Sequence, residues 1–293
     1  MALLDSTAVA SKVALKELTK QKLRTRLASF PWWLAAIGLI IATTLYLIAK
    51  SPSFSEAFST IRAGIGVTLT ITLISYSISL IIGLITGLGR VSKNIGSQNI
   101  ATFYVETMRG IPMLVSIFFI ALVLVPGVVQ LVGQFGTRLI ELGLTGIGNF
   151  LAASNNRAIS MSLRAVVALS ITYGAYSAEI FRAGIQSVPV GQMEAARSQG
   201  LSHGQAMRHV VLPQAIRNVL PAIGNDFIAM LKDSSLVSVL AVRDVTQIAR
   251  LYAGHSFRFS EAYTTLSVMY LSMTLMLSLV VKMIEKRIST NGQ

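Results

Sequence analysis

A lysine, two aspartates and a serine lie close together in an otherwise apolar segment in the last third of the chain. Asp226 and Asp233 are seven residues apart, so a helix would place both carboxylates on one face. Lys232 would point about 100° away from Asp233, and Ser234 follows directly. Anionic, cationic and hydroxyl groups together suit a solute that carries both charges. The alternative is an internal ion pair that only orders the helices.

The other reactive residue types form no catalytic or metal-binding pattern. The chain has no cysteine, which excludes disulfides, thiolate ligands and cysteine nucleophiles. His203, His209 and His255 lack the spacing of zinc ligands. No Gly-Lys dipeptide occurs, so the phosphate-binding loop Gly-x-x-x-x-Gly-Lys-Ser/Thr is absent from the sequence. We therefore expect no catalytic residue, metal or cofactor on this chain.

The composition is that of a membrane protein. Of 293 residues, 53% are hydrophobic and only 13% are charged, and the mean hydropathy is +0.65. Soluble domains average about a quarter charged residues. The formal net charge of +13 therefore reflects scarce acidic residues more than abundant basic ones.

The apolar stretches predict an all-α, polytopic bundle of about six transmembrane helices. These are Trp32 to Ala49, Ala63 to Leu88, Ile111 to Val132, Ile159 to Ile180, Ala222 to Val242 and Tyr263 to Met283. The fifth contains Asp226, Lys232 and Asp233, and charges at membrane depth usually face a bundle interior or a water-filled path. We predict that these residues and Ser234 line a translocation pathway.

Charge in the connections sets the orientation. Sixteen Lys and Arg residues lie in one set of alternate connections and seven in the other, which predicts that both termini are cytoplasmic. Residues 1–31 form a basic tail, and residues 32–49 form the first transmembrane helix. The tail places Lys12, Lys16, Lys20 and Arg24 on one helical face, typical of a stripe facing lipid headgroups.

Three further features have structural interpretations. Ser75, Ser79, Gly83 and Gly87 recur every four residues, a stripe that lets another helix approach closely. Arg164, near one end of the fourth span, is expected to extend toward the outer interface. Glu179, at the end of the same span, is expected to tie the following loop to its neighbours.

The cytoplasmic loop 181–221 is too long for a simple helix connection. A first short helix in it ends at Gly200, a typical C-terminal glycine. Ser202 with Gln205 predicts a capping box that opens a second helix, which should end before Pro213. Two short helices joined at a glycine form a rigid unit on the cytoplasmic face.

This loop carries a resemblance. Glu194-Ala195-Ala196, Gly200 and Val210-Val211-Leu212-Pro213 resemble the EAA loop of the integral membrane permease subunits of binding-protein-dependent ABC importers. The segments Tyr104 to Pro112, Tyr176 to Arg182 and Leu231 to Leu236 look like the polar amino acid uptake branch of that family. The resemblance covers the chain from about Ile61 onward and implies a permease domain over residues 61–285, to which residues 32–49 are an addition.

The resemblance implies a mechanism and a set of partners. In this family the loop docks on a cytoplasmic ABC ATPase dimer, which binds ATP and Mg and rocks the permease between two states. An external solute-binding protein and a second permease subunit, the same chain or a related one, complete the complex in a bacterial inner membrane. The residues assigned to ATPase coupling are Glu194, Ala195, Ala196, Gly200, Leu212 and Pro213. The two alanines would allow close approach, Gly200 would make the corner, and Glu194 would accept hydrogen bonds or pair with a basic group.

Other functions remain open at this point. A stand-alone secondary amino acid transporter would also use intramembrane charges but has no need of a cytoplasmic coupling loop. A non-transporting membrane anchor or receptor would need only the spans. An enzyme is disfavoured because the sequence contains nothing resembling a nucleophile and its base.

Overall fold

The structure, a computed structural model, describes residues 32–290, with side chains to residue 287. The basic tail, residues 1–31, lies outside the described residues. The helices are α1 (Trp32–Lys50), α2 (Pro52–Ile61), α3 (Ile65–Arg90), α4 (Ile95–Gly110), α5 (Met113–Phe119), α6 (Val125–Glu141), α7 (Thr145–Ala152), α8 (Met161–Gln186), α9 (Val190–Ser198), α10 (His203–Ala206), α11 (Leu212–Asp233), α12 (Val245–Ser256) and α13 (Phe259–Thr290). Within this range no strand occurs, which confirms the all-α prediction.

Several helices begin where the sequence has a capping side chain. The Ser160 hydroxyl accepts a hydrogen bond from the Leu163 amide at the start of α8, and Asp244 does the same for α12 through the Gln247 amide. Short 3-10 segments follow α2 and α11, and π-helical turns, Ile120–Leu124 and Met207–Val211, follow α5 and α10. These turns join neighbouring helices without a loop.

Four helical runs are long and apolar enough to cross a membrane by length and composition. They are Trp32–Lys50, Pro52–Arg90, Met113–Glu141 and Phe259–Arg287. The other two predicted spans are helical but less apolar. The fourth corresponds to α8. The fifth differs from the prediction, because α11 begins at Leu212, ten residues before the predicted start, and gives way at Ser234 to the 3-10 segment Ser234–Leu240.

Helix α8 is the central element of the bundle. It packs along α3 over most of its length and also contacts α11, α4 and α5. More of its residues are buried than in any other described helix, among them the polar residues Ser170, Thr172 and Ser177. Because neighbouring helices cover most of its surface, α8 needs no continuous apolar face toward lipid. This explains why its composition is less apolar than that of the peripheral spans.

The small-residue stripe on α3 is confirmed as a packing surface. Ser75, Ser79, Gly83 and Gly87 are all buried. A Cβ atom at Gly83 would lie 2.5 Å from the Ser177 Cβ of α8, and one at Gly87 would lie 2.9 Å from the Ala178 carbonyl oxygen. The backbones of α3 and α8 can be this close only because glycine has no side chain.

The substitution Gly83→Ala is therefore expected to destabilise the bundle by about 1–3 kcal/mol, the usual cost of adding a methyl group to a full interface. Gly66→Ala is the matched control, because Gly66 lies on the same helix and an added methyl carbon there would have no neighbour within 4 Å. Alanine favours helix over glycine, so the control should be neutral or slightly stabilising. Thermal unfolding of both variants in detergent measures the difference, and equal midpoints would contradict this account of the interface.

Arg164 does not present its side chain at the protein surface, as extension to the interface would require, because the residue is only 8% exposed. Its guanidinium donates hydrogen bonds to the carbonyl oxygens of Asn156 (2.7 Å), Ile159 (3.3 Å) and Ala121 (3.3 Å). Ala121 lies in a π-helical turn, where the widened backbone leaves a carbonyl free to accept. Arg164 therefore fixes the α5–α6 junction to the start of α8.

The first helix lies at the edge of the bundle. It packs against α2 and α13, and Thr44 is its one buried residue. The Thr44 hydroxyl donates to the Ile40 carbonyl oxygen of the same helix, so its polar group is satisfied internally. Trp32 and Trp33 at its beginning are exposed, a position that suits the membrane interface.

Candidate functional site

The segment with the EAA motif forms a compact unit at the end of the bundle that the charge count predicts to be cytoplasmic. Helix α9 ends at Ser198, and the turn after it contains Gly200, whose φ of +88° is a left-handed conformation that non-glycine residues rarely adopt. Ser202 and Gln205 form the predicted capping box, with hydrogen bonds of 3.3 and 2.9 Å in the two directions. The glycine turn and the capping box together fix the angle between α9 and α10.

The three residues of the EAA motif differ in exposure. Glu194 and Ala195 are exposed, whereas Ala196 is 5% exposed. The Ala196 carbonyl oxygen accepts a hydrogen bond from the Leu201 amide, which closes the turn after α9. A partner docking on α9 would therefore meet Glu194 and Ala195, while Ala196 serves the packing of the loop itself.

The loop predicted over residues 181–221, named here the coupling segment for its predicted role, ends differently from the prediction. The second short helix was expected to end before Pro213. Instead α10 passes through the π-helical turn Met207–Val211 directly into α11. Pro213 directly follows this π-helical turn, whose wider backbone accommodates the proline ring and the missing amide hydrogen within the continuous helix. Within the predicted loop 181–221, residues 212–221 belong to α11, so a displacement of the short helices reaches the bundle through a continuous helix.

An ion-pair network ties three helices together beside this segment. Arg90 of α3 contacts Glu106 of α4 at 3.1 Å and Glu179 of α8 at 2.7 Å. Glu179 also pairs with Arg182, one turn further along α8. This places Glu179 as predicted, between the helix that leads into the coupling segment and its neighbours.

The turn at Gly200 yields a prediction. Gly200→Val is expected to reduce uptake and substrate-stimulated ATP hydrolysis about tenfold, because a β-branched residue at this φ costs roughly 1–3 kcal/mol and shifts α9 relative to α10. The matched control is Gly204→Val. Neither glycine has a neighbour within 4 Å of an added Cβ, and only Gly200 has a positive φ. The assay is uptake into vesicles at equal amounts of assembled complex, and equal activity of the two variants would contradict the proposed role of the turn.

The predicted pathway residues point in different directions. The Asp233 carboxylate accepts a hydrogen bond from the Tyr173 hydroxyl of α8 at 2.7 Å, and Asp226 accepts one from Ser177 at 3.3 Å. Lys232 is exposed. In the part of the chain that the structure describes, no ion pair joins Lys232 to either aspartate. The alternative of an internal ion pair therefore finds no contact in this structure.

Ser234 is also turned inward. It is 1% exposed, and its hydroxyl donates to the Leu231 carbonyl oxygen at 2.7 Å. Both aspartates are only partly buried, so each leaves a portion of its surface accessible. The structure thus brings Asp226 and Asp233 together on the α8 side of α11, with Lys232 on an adjoining open face and Ser234 in the packed interior.

Sequence reasoning missed two residues on that open face. Asn218, Asn225 and Lys232 follow each other at seven-residue intervals, and all three are exposed. The Asn218 amide donates to the Ser187 hydroxyl at 2.9 Å, which leaves its oxygen available. The same seven-residue spacing that singled out the aspartates would have found this row. An exposed polar row on a membrane-inserted helix requires either water or a protein partner.

Comparison with known proteins identifies the family. The family described as "Binding-protein-dependent transport system inner membrane component" matches residues 79–290. The chain belongs to this family, and it is a component of the bacterial inner membrane. The family assignment confirms the resemblance that the EAA motif indicated.

Two individual relatives are consistent with this family assignment. The chain is 36% identical to the probable glutamine ABC transporter permease protein GlnM of Bacillus subtilis (strain 168) over 233 residues, 80% of this chain and 95% of the relative. It is 31% identical to the glutamine transport system permease protein GlnP of Escherichia coli (strain K12) over 224 residues, 76% and 90% of the two chains.

Solved structures show the same fold. A chain in the crystal structure of an amino acid ABC transporter with histidines matches with a TM-score of 0.63 and 35% identity, over 83% of this chain and 97% of that one. A chain of the MetNI methionine ABC transporter in an inward-facing conformation matches with a TM-score of 0.59 and 18% identity, over 78% and 96%. At the latter identity the likeness concerns the fold alone.

Proposed function

We propose that this chain is the transmembrane permease subunit of an ATP-driven amino acid importer. The observation that carries the proposal is the short helix α9, which exposes Glu194 and Ala195 on the cytoplasmic side and is held by the turn at Gly200. A rigid helix on a fixed corner transmits a rigid-body displacement, which a flexible loop cannot. The amino acid as substrate is supported by the names of the relatives.

The proposed complex contains several other chains. A cytoplasmic ABC ATPase dimer docks on α9 and carries ATP and Mg, since this sequence has no phosphate-binding loop. An external solute-binding protein delivers the substrate. A second permease subunit, this chain or a related one, covers the polar row Asn218, Asn225 and Lys232 and encloses water there.

We propose that this row lines the translocation pathway. The Lys232 ammonium would contact the substrate carboxylate, and the two asparagine amides would offer hydrogen bonds nearer the cytoplasm. Asp226 and Asp233 lie one residue further round the helix, where Ser177 and Tyr173 hold them. Their charges face the substrate ammonium from the side of α8 and balance Lys232. Ser234, which was expected in the pathway, would not contact the substrate. It would instead stabilise the end of α11 through its hydrogen bond to the Leu231 carbonyl oxygen.

The experiment that tests the proposed function is copurification of the chain with its native partners, followed by an ATPase assay. An ATPase subunit should copurify, and a solute-binding protein loaded with the correct amino acid should stimulate hydrolysis several-fold. Screening the amino acids one at a time identifies the substrate. A chain that purifies without an ATPase and transports an amino acid alone would instead be a stand-alone secondary transporter.

A further inference from the structure

A groove with apolar walls runs between α3 and α4 on the side of the bundle. Its volume is about 600 Å³. Its walls are formed chiefly by Ile82 and Ile85 of α3, Ile100 and Tyr104 of α4, and Ile171 of α8. The polar residues along it, Thr86 and Ser97, are few and small. The proposed transport mechanism makes no use of this groove.

The floor of the groove is formed by close packing of α4 on α8. The Tyr104 hydroxyl donates its hydrogen bond to the Ile171 carbonyl oxygen of α8, so only the ring of the tyrosine faces the groove. Near the turn between the helices, a Cβ at Gly89 would lie 3.2 Å from the Ala101 Cβ. Close packing there joins α3 to α4 and defines the cytoplasmic end of the groove.

The open side of the groove has exposed apolar rims: Ile85 is 67% exposed and Ile100 is 74% exposed. Helix α4 lies between the second and third predicted spans, but its Tyr104 reaches Ile171 inside the fourth predicted span, so this helix packs alongside the bundle instead of forming a loop below it. Exposed isoleucines on both rims are unfavourable against water but suit acyl chains. The groove ends at the α3–α4 connection, which the charge count places on the cytoplasmic side, so the adjoining lipid belongs to the cytoplasmic leaflet.

A free cation lies at that end. Lys93, in the turn between α3 and α4, is exposed and forms no hydrogen bond or ion pair within residues 32–287. The neighbouring Arg90, by contrast, is engaged by Glu106 and Glu179. Anionic phospholipids of the cytoplasmic leaflet attract exposed basic residues near the surface. Lys93 is thus positioned for a lipid phosphate above an acyl chain in the groove.

We propose that the groove between α3 and α4 binds one anionic phospholipid of the cytoplasmic leaflet. One acyl chain lies between Ile85 and Ile100 over the Tyr104 ring, and the Lys93 ammonium contacts the phosphate. Such a lipid acts as a fixed structural element between α3 and α4. The site is independent of the transport cycle and of the residues assigned to the pathway and to ATPase coupling.

Native mass spectrometry of the complex, released from vesicles of equal parts phosphatidylglycerol and phosphatidylcholine, tests the proposal. The expected result is retention of about one phosphatidylglycerol per copy of this chain, in excess over phosphatidylcholine. Lys93→Gln should lower that retention about fivefold, the effect of one basic residue near the membrane surface. Ser97→Trp, which places a ring in the groove, should remove both lipids.

Lys282→Gln is the matched control, because Lys282 is an exposed lysine at the cytoplasmic end of α13, away from the groove. The Lys282→Gln variant should retain as much phosphatidylglycerol as the unsubstituted chain. Equal retention of the two lipids, or no change on Ser97→Trp, would overturn the proposal. Absence of lipid together with a change of oligomeric state in Ser97→Trp would also overturn it, since another protein chain would then occupy the groove.

Discussion

Ala195→Leu is expected to reduce ATP-driven uptake about tenfold while the complex still reaches the membrane. Ala195 is exposed on α9, where the proposed ATPase docks, and the small side chain allows close approach. Added methyl groups in a packed interface cost about 1–3 kcal/mol, and 1.4 kcal/mol corresponds to a factor of ten. The measurement is the initial rate of uptake into vesicles, normalised to the amount of complex.

The control for this substitution is Ala153→Leu, a change of the same size at an exposed alanine after α7, on the opposite side of the membrane. It should leave uptake unchanged. Because the natural chain has no cysteine, Ala195→Cys also provides a single reactive thiol. That thiol should cross-link to the ATPase subunit, whereas Ala153→Cys should not. Full uptake by Ala195→Leu, with no cross-link from position 195, would contradict the assignment of α9.

Lys232→Met is expected to raise the concentration of loaded binding protein that gives half-maximal uptake about tenfold or more. A hydrogen bond between a lysine and a carboxylate contributes about 1.5–3 kcal/mol, which corresponds to a factor of roughly 10–100. Lys232 lies on the open face of α11, and methionine keeps its length without the charge. Uptake is measured over a range of concentrations of loaded binding protein, in a complex with normal basal ATP hydrolysis.

Two variants make this result specific. Lys282→Met removes a charge from an exposed lysine on the cytoplasmic end of α13 and should transport normally. Asp233→Asn keeps an oxygen that accepts the Tyr173 hydrogen bond, so it should assemble, and its smaller effect would come from lost charge alone. Unchanged apparent affinity in assembled Lys232→Met would remove this residue from the pathway.

Local sequence signals were sufficient for the coupling segment. The turn at Gly200 and the Ser202–Gln205 capping box depend only on residues that are close in sequence, and both form as predicted. Pro213 was misleading for the same local reason. A proline usually ends or kinks a helix, but here the π-helical turn Met207–Val211 lets the helix continue past it, and no local sequence signal predicts that turn.

The orientation of buried polar groups could not be predicted from the sequence. Arg164 turns inward because Asn156, Ile159 and Ala121 offer carbonyl oxygens, and Ala121 is distant in sequence. Asp226 and Asp233 share a face as their spacing predicted, but the choice of face depends on Ser177 and Tyr173 of α8. Helical periodicity gives relative directions, whereas the packing of the bundle determines which direction is inside.

The central claim, that a separate ATPase drives transport through this chain, is tested most directly by uptake into reconstituted vesicles. Vesicles contain the permease chain, its ATPase subunit and its binding protein loaded with labelled amino acid. The account predicts accumulation that requires ATP on the ATPase side and falls to background when the ATPase subunit is omitted. Accumulation by vesicles that contain the permease chain alone, without ATP, would contradict it.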